Sequence, residues 1–347
     1  MHFSPKGVAT AIGSFPHREA EAACKLILEQ IPEIPIWPQL PNANFREQME
    51  IQYSEGMPCL VVDETKERIY FETGGDPTGD LEKFYQNVLA ENLDYFRISP
   101  DYSRGLYHME KKLSGTDRSS VRFIKSHITG PLTFGLSKTD EVKRSIYYNE
   151  VFRDVVVKGI AMKARWLLNR LDPLGRPQIC FIDEPIFAAF GSSTYVSVQR
   201  SDVVNCLAEV VEAIHKEGAL AGTHCCGNTE WTILMDAGVD IISFDAFEYG
   251  ETIGYYADRV KPFLEKGGVL AWGIVPTSEK IRAQTPESLV KKLEELVNAL
   301  ASRGVDRNLL WEQCLITPSC GTGSLAVELA EEIFRKLSTT SRLLRHS

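Results

Sequence analysis

Ala219-Leu220-Ala221-Gly222-Thr223-His224-Cys225-Cys226 and Asp240-Ile241-Ile242-Ser243-Phe244-Asp245 are two short apolar runs that end in polar, metal-competent side chains. Between them Thr229 to Ala237 has helical patterning, and Gly238 suits the position just past a helix end. Strand, helix, strand in that order is a βα unit, and continuous apolar runs of this length read as strands buried on both faces. The unit fixes the reading of its neighbours.

On the upstream side Gln178 to Asp183 reads as a strand and Asp202 to Lys216 as a helix. Downstream come helix Thr252 to Lys266, strand Val269 to Trp272, helix Pro286 to Arg303, strand Leu315 to Thr317 and helix Ser324 to Leu337. Gly7 to Ile12 and Val121 to His127 read as two further strands, and Glu141 to Leu171 as one long or broken helical stretch. The strand count approaches the eight of a closed (β/α)8 TIM barrel, with residues 1–337 as a single catalytic barrel. A surplus at about residues 32–115 is an N-terminal insertion. Within it Cys59 to Val62 and Arg68 to Phe71 flank a polar turn and read as a β-hairpin. Pro35-Ile36-Trp37-Pro38-Gln39-Leu40-Pro41 is too proline-rich for a regular element and is expected as an extended loop. Residues 338–347 read as a fraying C-terminal tail.

Of 347 residues 44% are hydrophobic and 24% charged, a globular composition, and the net charge of -9 argues against a nucleic-acid surface. The first residues lack the charged and apolar regions of a signal peptide, and no apolar run is long enough to span a membrane, so a cytoplasmic protein is expected. Eight cysteines are too few for a disulfide scaffold at this length. Cys24, Cys59, Cys180, Cys206 and Cys314 read as packing residues.

Four segments fall at the C-terminal ends of barrel strands, where such enzymes carry their reacting groups: Ile12-Gly13-Ser14-Phe15-Pro16-His17, Ile182-Asp183-Glu184-Pro185, His224 to Thr229, and Pro318-Ser319-Cys320-Gly321. Side chains two apart in an extended segment share a side, so His224 and Cys226 converge while Cys225 points away. With Cys320 from a separate strand end they form an imidazole and two thiols, a donor set suited to zinc. A fourth ligand would be Asp245 or Glu248; Asp245 is equally well placed as the cap of the following helix. Asp183 can hold a substrate ammonium group, with Glu184 on the opposite side in a structural role. The Gly13 and Ser14 amides can cradle a carboxylate. His17 reads as a solvated or capping residue, and His127 lies on the same face with no assigned part.

Those motifs, in that order, resemble the catalytic barrel of cobalamin-independent methionine synthase and its superfamily, which includes uroporphyrinogen decarboxylase and corrinoid-linked methyltransferases. Ile12-Gly13-Ser14 is similar to the loop binding the homocysteine backbone, Asp183 to the acid holding its amino group, and His224, Cys226 and Cys320 to the zinc ligands. Asp245 stands where the family carries a Glu ligand. His224-Cys225-Cys226-Gly227-Asn228-Thr229 also resembles a motif of corrinoid-linked thiol methyltransferases.

The resemblance implies a zinc-dependent thiol methyltransferase, with homocysteine as substrate. With no counterpart of the family's N-terminal half, the chain looks like a single-barrel "core" enzyme, which implies methylcobalamin on a corrinoid protein as methyl donor in place of folate. The Pro35 to Gly75 insertion and the Ser99 to Tyr102 loop would shape the docking face. Other readings are methylation of another thiol such as coenzyme M, a uroporphyrinogen decarboxylase-like enzyme, and a non-catalytic zinc or corrinoid-carrier binding protein.

Overall fold

The computed structural model describes residues 3–115, 117–190, 195 and 197–346. Its strands in chain order are β1 (Val8–Ala9), β2 (Leu60–Asp63), β3 (Arg68–Phe71), β4 (Ile124–Thr129), β5 (Gln178–Asp183), β6 (Leu220–Cys225), β7 (Ile241–Phe244), β8 (Val269–Val275) and β9 (Cys314–Pro318). Seven form one curled parallel sheet in the order β1-β9-β8-β7-β6-β5-β4, and helices connect them. β2 and β3 are the expected antiparallel hairpin.

Alternation along the strands separates two cores. Ile179 and Phe181, Val269 and Ala271, and Leu315 face a small cluster with Phe3 and Ile34, inside the curl. Cys180 and Ile182, Leu270 and Trp272, and Ile316 face the larger shell packed under the helices. Continued upward, the inner alternation brings Asp183, His224 and Ser243 to the C-terminal rim. The helices supply matching stripes: helix Arg200–Lys216 buries Val203, Leu207, Val210, Val211 and Ile214. Helix Pro286–Ala301 starts at a Thr285–Ser288 capping box and buries Leu289, Leu293, Leu296, Val297 and Leu300. Each buried aliphatic side chain contributes about 1.5–3 kcal/mol.

The sheet is not the closed eight-stranded barrel expected from the sequence. Its ladder stops at β1 and β4, and the span between them is occupied by the proline-rich segment. Ile36 bridges Lys125 in parallel, with the Lys125 N–H donating to the Pro35 carbonyl at 3.0 Å. Gln39 bridges Ser14: its N–H donates to the Gly13 carbonyl at 3.0 Å and its carbonyl accepts from the Phe15 N–H at 2.8 Å. Pro35, Pro38 and Pro41 have no N–H to donate, so this stave makes isolated bridges and cannot form a ladder.

The insertion packs beside the sheet. Its helix Thr78–Leu89 places Phe84 edge-on to Phe96 at 5.6 Å, and Tyr85 Oη donates to Asp154, on the long helix Glu150–Leu171, at 2.7 Å. The C-terminus also departs from expectation. Residues 338–346 do not fray but continue helix Val327–His346, with Leu337, Thr340 and Ser341 buried and Ser341 Oγ donating to the Gly7 carbonyl at 2.6 Å. Small hydroxyl side chains let the helix approach β1 closely, and the polar composition of the segment hid that contact.

Candidate metal centre

His224 is the fifth residue of β6, opposite Asp183 of β5 on one side and Ser243 of β7 on the other. Cys226 follows directly after β6, and Cys320 lies in the turn after β9. One ligand atom from each of His224, Cys226 and Cys320 lies within 4.8 Å of the others. Around zinc, with bonds of about 2.0–2.3 Å, tetrahedral ligand atoms are separated by about 3.5–3.8 Å, so the set would have to draw together by no more than about 1 Å.

The surroundings suit that chemistry. His224 Nδ1 is 3.0 Å from Ser243 Oγ, while Nε2 is buried without a partner. When Nδ1 carries the proton and donates to Ser243, the Nε2 lone pair is free for a metal. Burial, aided by the Lys125 charge, pushes the imidazole down to about 3 and keeps it neutral. The Cys320 thiol hydrogen-bonds Cys226 and lowers it to about 7; donating to Cys226 and burial raise Cys320. A neutral imidazole beside a thiol that ionises near neutrality is a donor set for a soft, thiophilic cation such as zinc. Were zinc held by these three residues, one tetrahedral position would stay open. Cys225 points into the outer shell, as the alternation requires.

Asp245 is not in the cluster. Its Oδ1 accepts from the Glu248 N–H at 2.9 Å, capping helix Ala246–Tyr249, so of its two expected parts the structure displays the cap. Burial raises its pKa to about 6. Glu248 turns outward to Lys280 Nζ at 2.7 Å.

The adjacent acids divide as their alternation predicts. Asp183 is buried on the inner face with Oδ1 unpartnered. Glu184 faces outward and accepts from the Leu132 N–H at 2.9 Å, the Thr133 N–H at 2.7 Å and Thr133 Oγ1 at 2.5 Å.

The Ile12 to Ser14 turn lies against the Cys320 turn. Thr322 donates through its N–H (2.8 Å) and its hydroxyl (3.0 Å) to the Ser14 carbonyl. A Cβ on Gly321 would stand 2.1 Å from Ser14 Oγ, so a larger residue there would force the serine hydroxyl to rotate away. Among the described residues the Gly13 and Ser14 N–H groups have no protein acceptor. Beneath Gly13 lies His127, whose ring stacks on Trp37 at 3.8 Å and whose two nitrogens are buried without partners. Burial and the Lys125 charge hold it neutral. His17, expected to be a solvated or capping residue, is buried near Phe15, and its Nδ1 has no partner among the described residues.

Lys125, Trp37 and Ser243 escaped the sequence reading. Lys125 was detectable as a lone cation in an apolar strand, in phase with His127; Trp37 was masked by its prolines.

No family model matches the chain, and no curated protein matches it. Among solved structures it is similar to a B12-independent methionine synthase from Shewanella sp. W3-18-1 in complex with selenomethionine, at 18% identity and a TM-score of 0.42. The match covers 64% of this chain and 62% of that one, so the chain spans less than two thirds of the length of that protein. Among the described residues no helix is long and apolar enough to cross a membrane.

Proposed function

We propose that the protein is a zinc-dependent methyltransferase that moves a methyl group to the sulfur of homocysteine, giving methionine. The observation that carries this reading is the His224, Cys226 and Cys320 cluster, with the imidazole Nε2 lacking a partner among the described residues, next to Asp183, whose buried Oδ1 lacks one too. His224 Nε2, Cys226 Sγ and Cys320 Sγ would hold the metal. Bound zinc supplies the charge that makes a coordinated thiol ionise at neutral pH.

The other residues orient the substrate. Asp183 takes the ammonium group in a site where burial strengthens charge pairing. The Gly13 and Ser14 N–H groups receive the carboxylate. The thiol of such a substrate is then directed toward the three-ligand cluster. Its proton leaves to solvent, the sulfur–carbon bond forms, and the donor keeps the electron pair of the bond to methyl that breaks. We take the donor to be methylcobalamin on a corrinoid protein, supported by the likeness of His224-Cys225-Cys226-Gly227-Asn228-Thr229 to the corrinoid-linked motif.

Zinc-loaded protein offered homocysteine with methylcobalamin or methyltetrahydrofolate, and coenzyme M as a competing acceptor, tests the proposal. Methionine formed from methylcobalamin is the expected product. Turnover only with coenzyme M would replace the acceptor, turnover only with folate would replace the donor, and no transfer to any thiol despite bound zinc would sink the reading.

A further inference from the structure

The ammonium group of Lys125 is fully buried on the inner face of β4. Nζ donates to the Ile12 carbonyl at 2.8 Å and stands 4.0 Å from the centre of the Phe181 ring. Among the described residues no carboxylate lies within 4.0 Å of it, and Asp183 acts on it only through space. A buried cation without a contact ion pair is expensive, and an apolar side chain of equal length would fill the same space at less cost. The strand does not need a lysine here. The turn after β1 does.

The Ile12 carbonyl and the Gly13 N–H belong to one planar trans peptide unit, in which the two groups point in opposite directions. Holding the carbonyl at Lys125 therefore aims the Gly13 N–H away from the ammonium. The next unit is fixed in the same manner: the Gly13 carbonyl accepts from the Gln39 N–H, which aims the Ser14 N–H away from the proline-rich stave. Among the described residues both N–H groups are left without a protein acceptor.

We propose that Lys125 is a positioning residue that makes the turn after β1 selective for a carboxylate-bearing thiol, by clamping the Ile12 carbonyl and so presenting the Gly13 N–H to the substrate carboxylate. Gln39 does the same for Ser14. The inference rests on the proposed homocysteine-binding role of the site and adds to it a positioning residue that sets its preference for thiols with a carboxylate.

The test uses Co2+-loaded protein, in which thiol binding is read from the sulfur-to-cobalt charge-transfer band without turnover. Homocysteine is compared with its decarboxylated analogue, an aminothiol. In Lys125→Met the homocysteine Kd should rise about tenfold to a hundredfold, the range given by losing one charge-assisted hydrogen bond, with the aminothiol Kd changed by no more than about twofold. Lys125→Gln, which keeps a donor, should recover part of the homocysteine affinity. Crystals of metal-free Lys125→Met should show the peptide between residues 12 and 13 rotated, a readout independent of the metal. Equal weakening of both thiols, or no change in either, overturns the positioning role while leaving the site's function standing. Failure of the wild-type protein to bind any thiol at cobalt overturns the functional reading and this inference with it.

Discussion

Asp183 and Glu184 are neighbours in sequence with opposite environments, so replacing each acid by its amide should give opposite results. Glu184 holds three donors, two of them the first free N–H groups of helix Pro131–Ser137. In Glu184→Gln one end of the amide is an NH2 group, and whichever way it is turned it meets a backbone N–H. One buried donor is then unsatisfied, a cost of about 1–3 kcal/mol, and a charge-assisted bond of similar worth is lost. Burial already pushes the Glu184 carboxyl up to about 7, which offsets part of that loss, leaving about 2–3 kcal/mol. For 347 residues the unfolding entropy is about 0.7 kcal/mol/K, so Tm should fall by about 3–4 °C. Asp183 Oδ1 has no partner to lose. Asp183→Asn removes a carboxyl that burial raises to about 7 and, with it, the through-space partner of Lys125; the two effects oppose, so stability should change by no more than about 1 kcal/mol while homocysteine binding weakens at least about tenfold. Calorimetry on the metal-free variants, with thiol titrations of the loaded ones, separates the two. If Asp183→Asn lowers Tm as far as Glu184→Gln does, both acids are structural and the division of roles is wrong.

Lys163 is buried on helix Glu150–Leu171, with Nζ donating to the Phe96 carbonyl at 3.3 Å and to no other group among the described residues, and burial lowers its pKa from 10.5 to about 8. The unfolded chain then binds more protons than the folded one between those values, so stability rises as pH climbs through that window and the cost persists below it. Lys163→Met should raise stability at pH 7 by about 1–3 kcal/mol and flatten the slope above pH 8, measured by denaturant titration at several pH values; an unchanged slope would contradict the assignment. Gly105→Ala would put its Cβ 1.8 Å from the Pro38 carbonyl oxygen, a contact between backbones, and should cost about 2–4 kcal/mol, read as a thermal shift that an unstrained site would lack. Cys320→Ser should reduce bound zinc at least about tenfold by elemental analysis, whereas Cys225→Ala, on the outer face, should retain it; equal loss in both would argue against the ligand set.

The legible part of the fold is the part in which local patterning and tertiary burial demand the same residues. β5 to β9 are buried on both faces, so each appears as an apolar run, three of them (β5, β6 and β9) with a candidate site residue at or just past the end, and the helices Arg200–Lys216 and Pro286–Ala301 carry clear apolar stripes. The His224, Cys226 and Cys320 cluster was legible for a related reason. Strand alternation fixes the direction of His224, and the parallel sheet puts all strand ends on one rim.

Where the fold was misread, tertiary contacts override local pattern. The stave at residues 34–39 has the wrong composition for a strand because only its unblocked amides and carbonyls bridge: the Ile34 carbonyl to Thr10 Oγ1, Pro35 to Lys125, and Gln39 to the turn after β1. That irregularity bears on the site. A regular strand would donate and accept at alternate residues along both neighbours and leave no slack in the turn after β1. Here the proline-rich stave takes the Gly13 carbonyl and the Phe15 N–H, and the Gly13 and Ser14 amides have no acceptor among the described residues. Lys125 then fixes from within what a ladder would otherwise fix from the side. The prolines that hide the eighth stave and the lysine that interrupts an apolar strand are in this sense two halves of one arrangement. A sparsely bridged edge next to the His224, Cys226 and Cys320 cluster frees backbone donors, and a buried cation keeps one of them aimed.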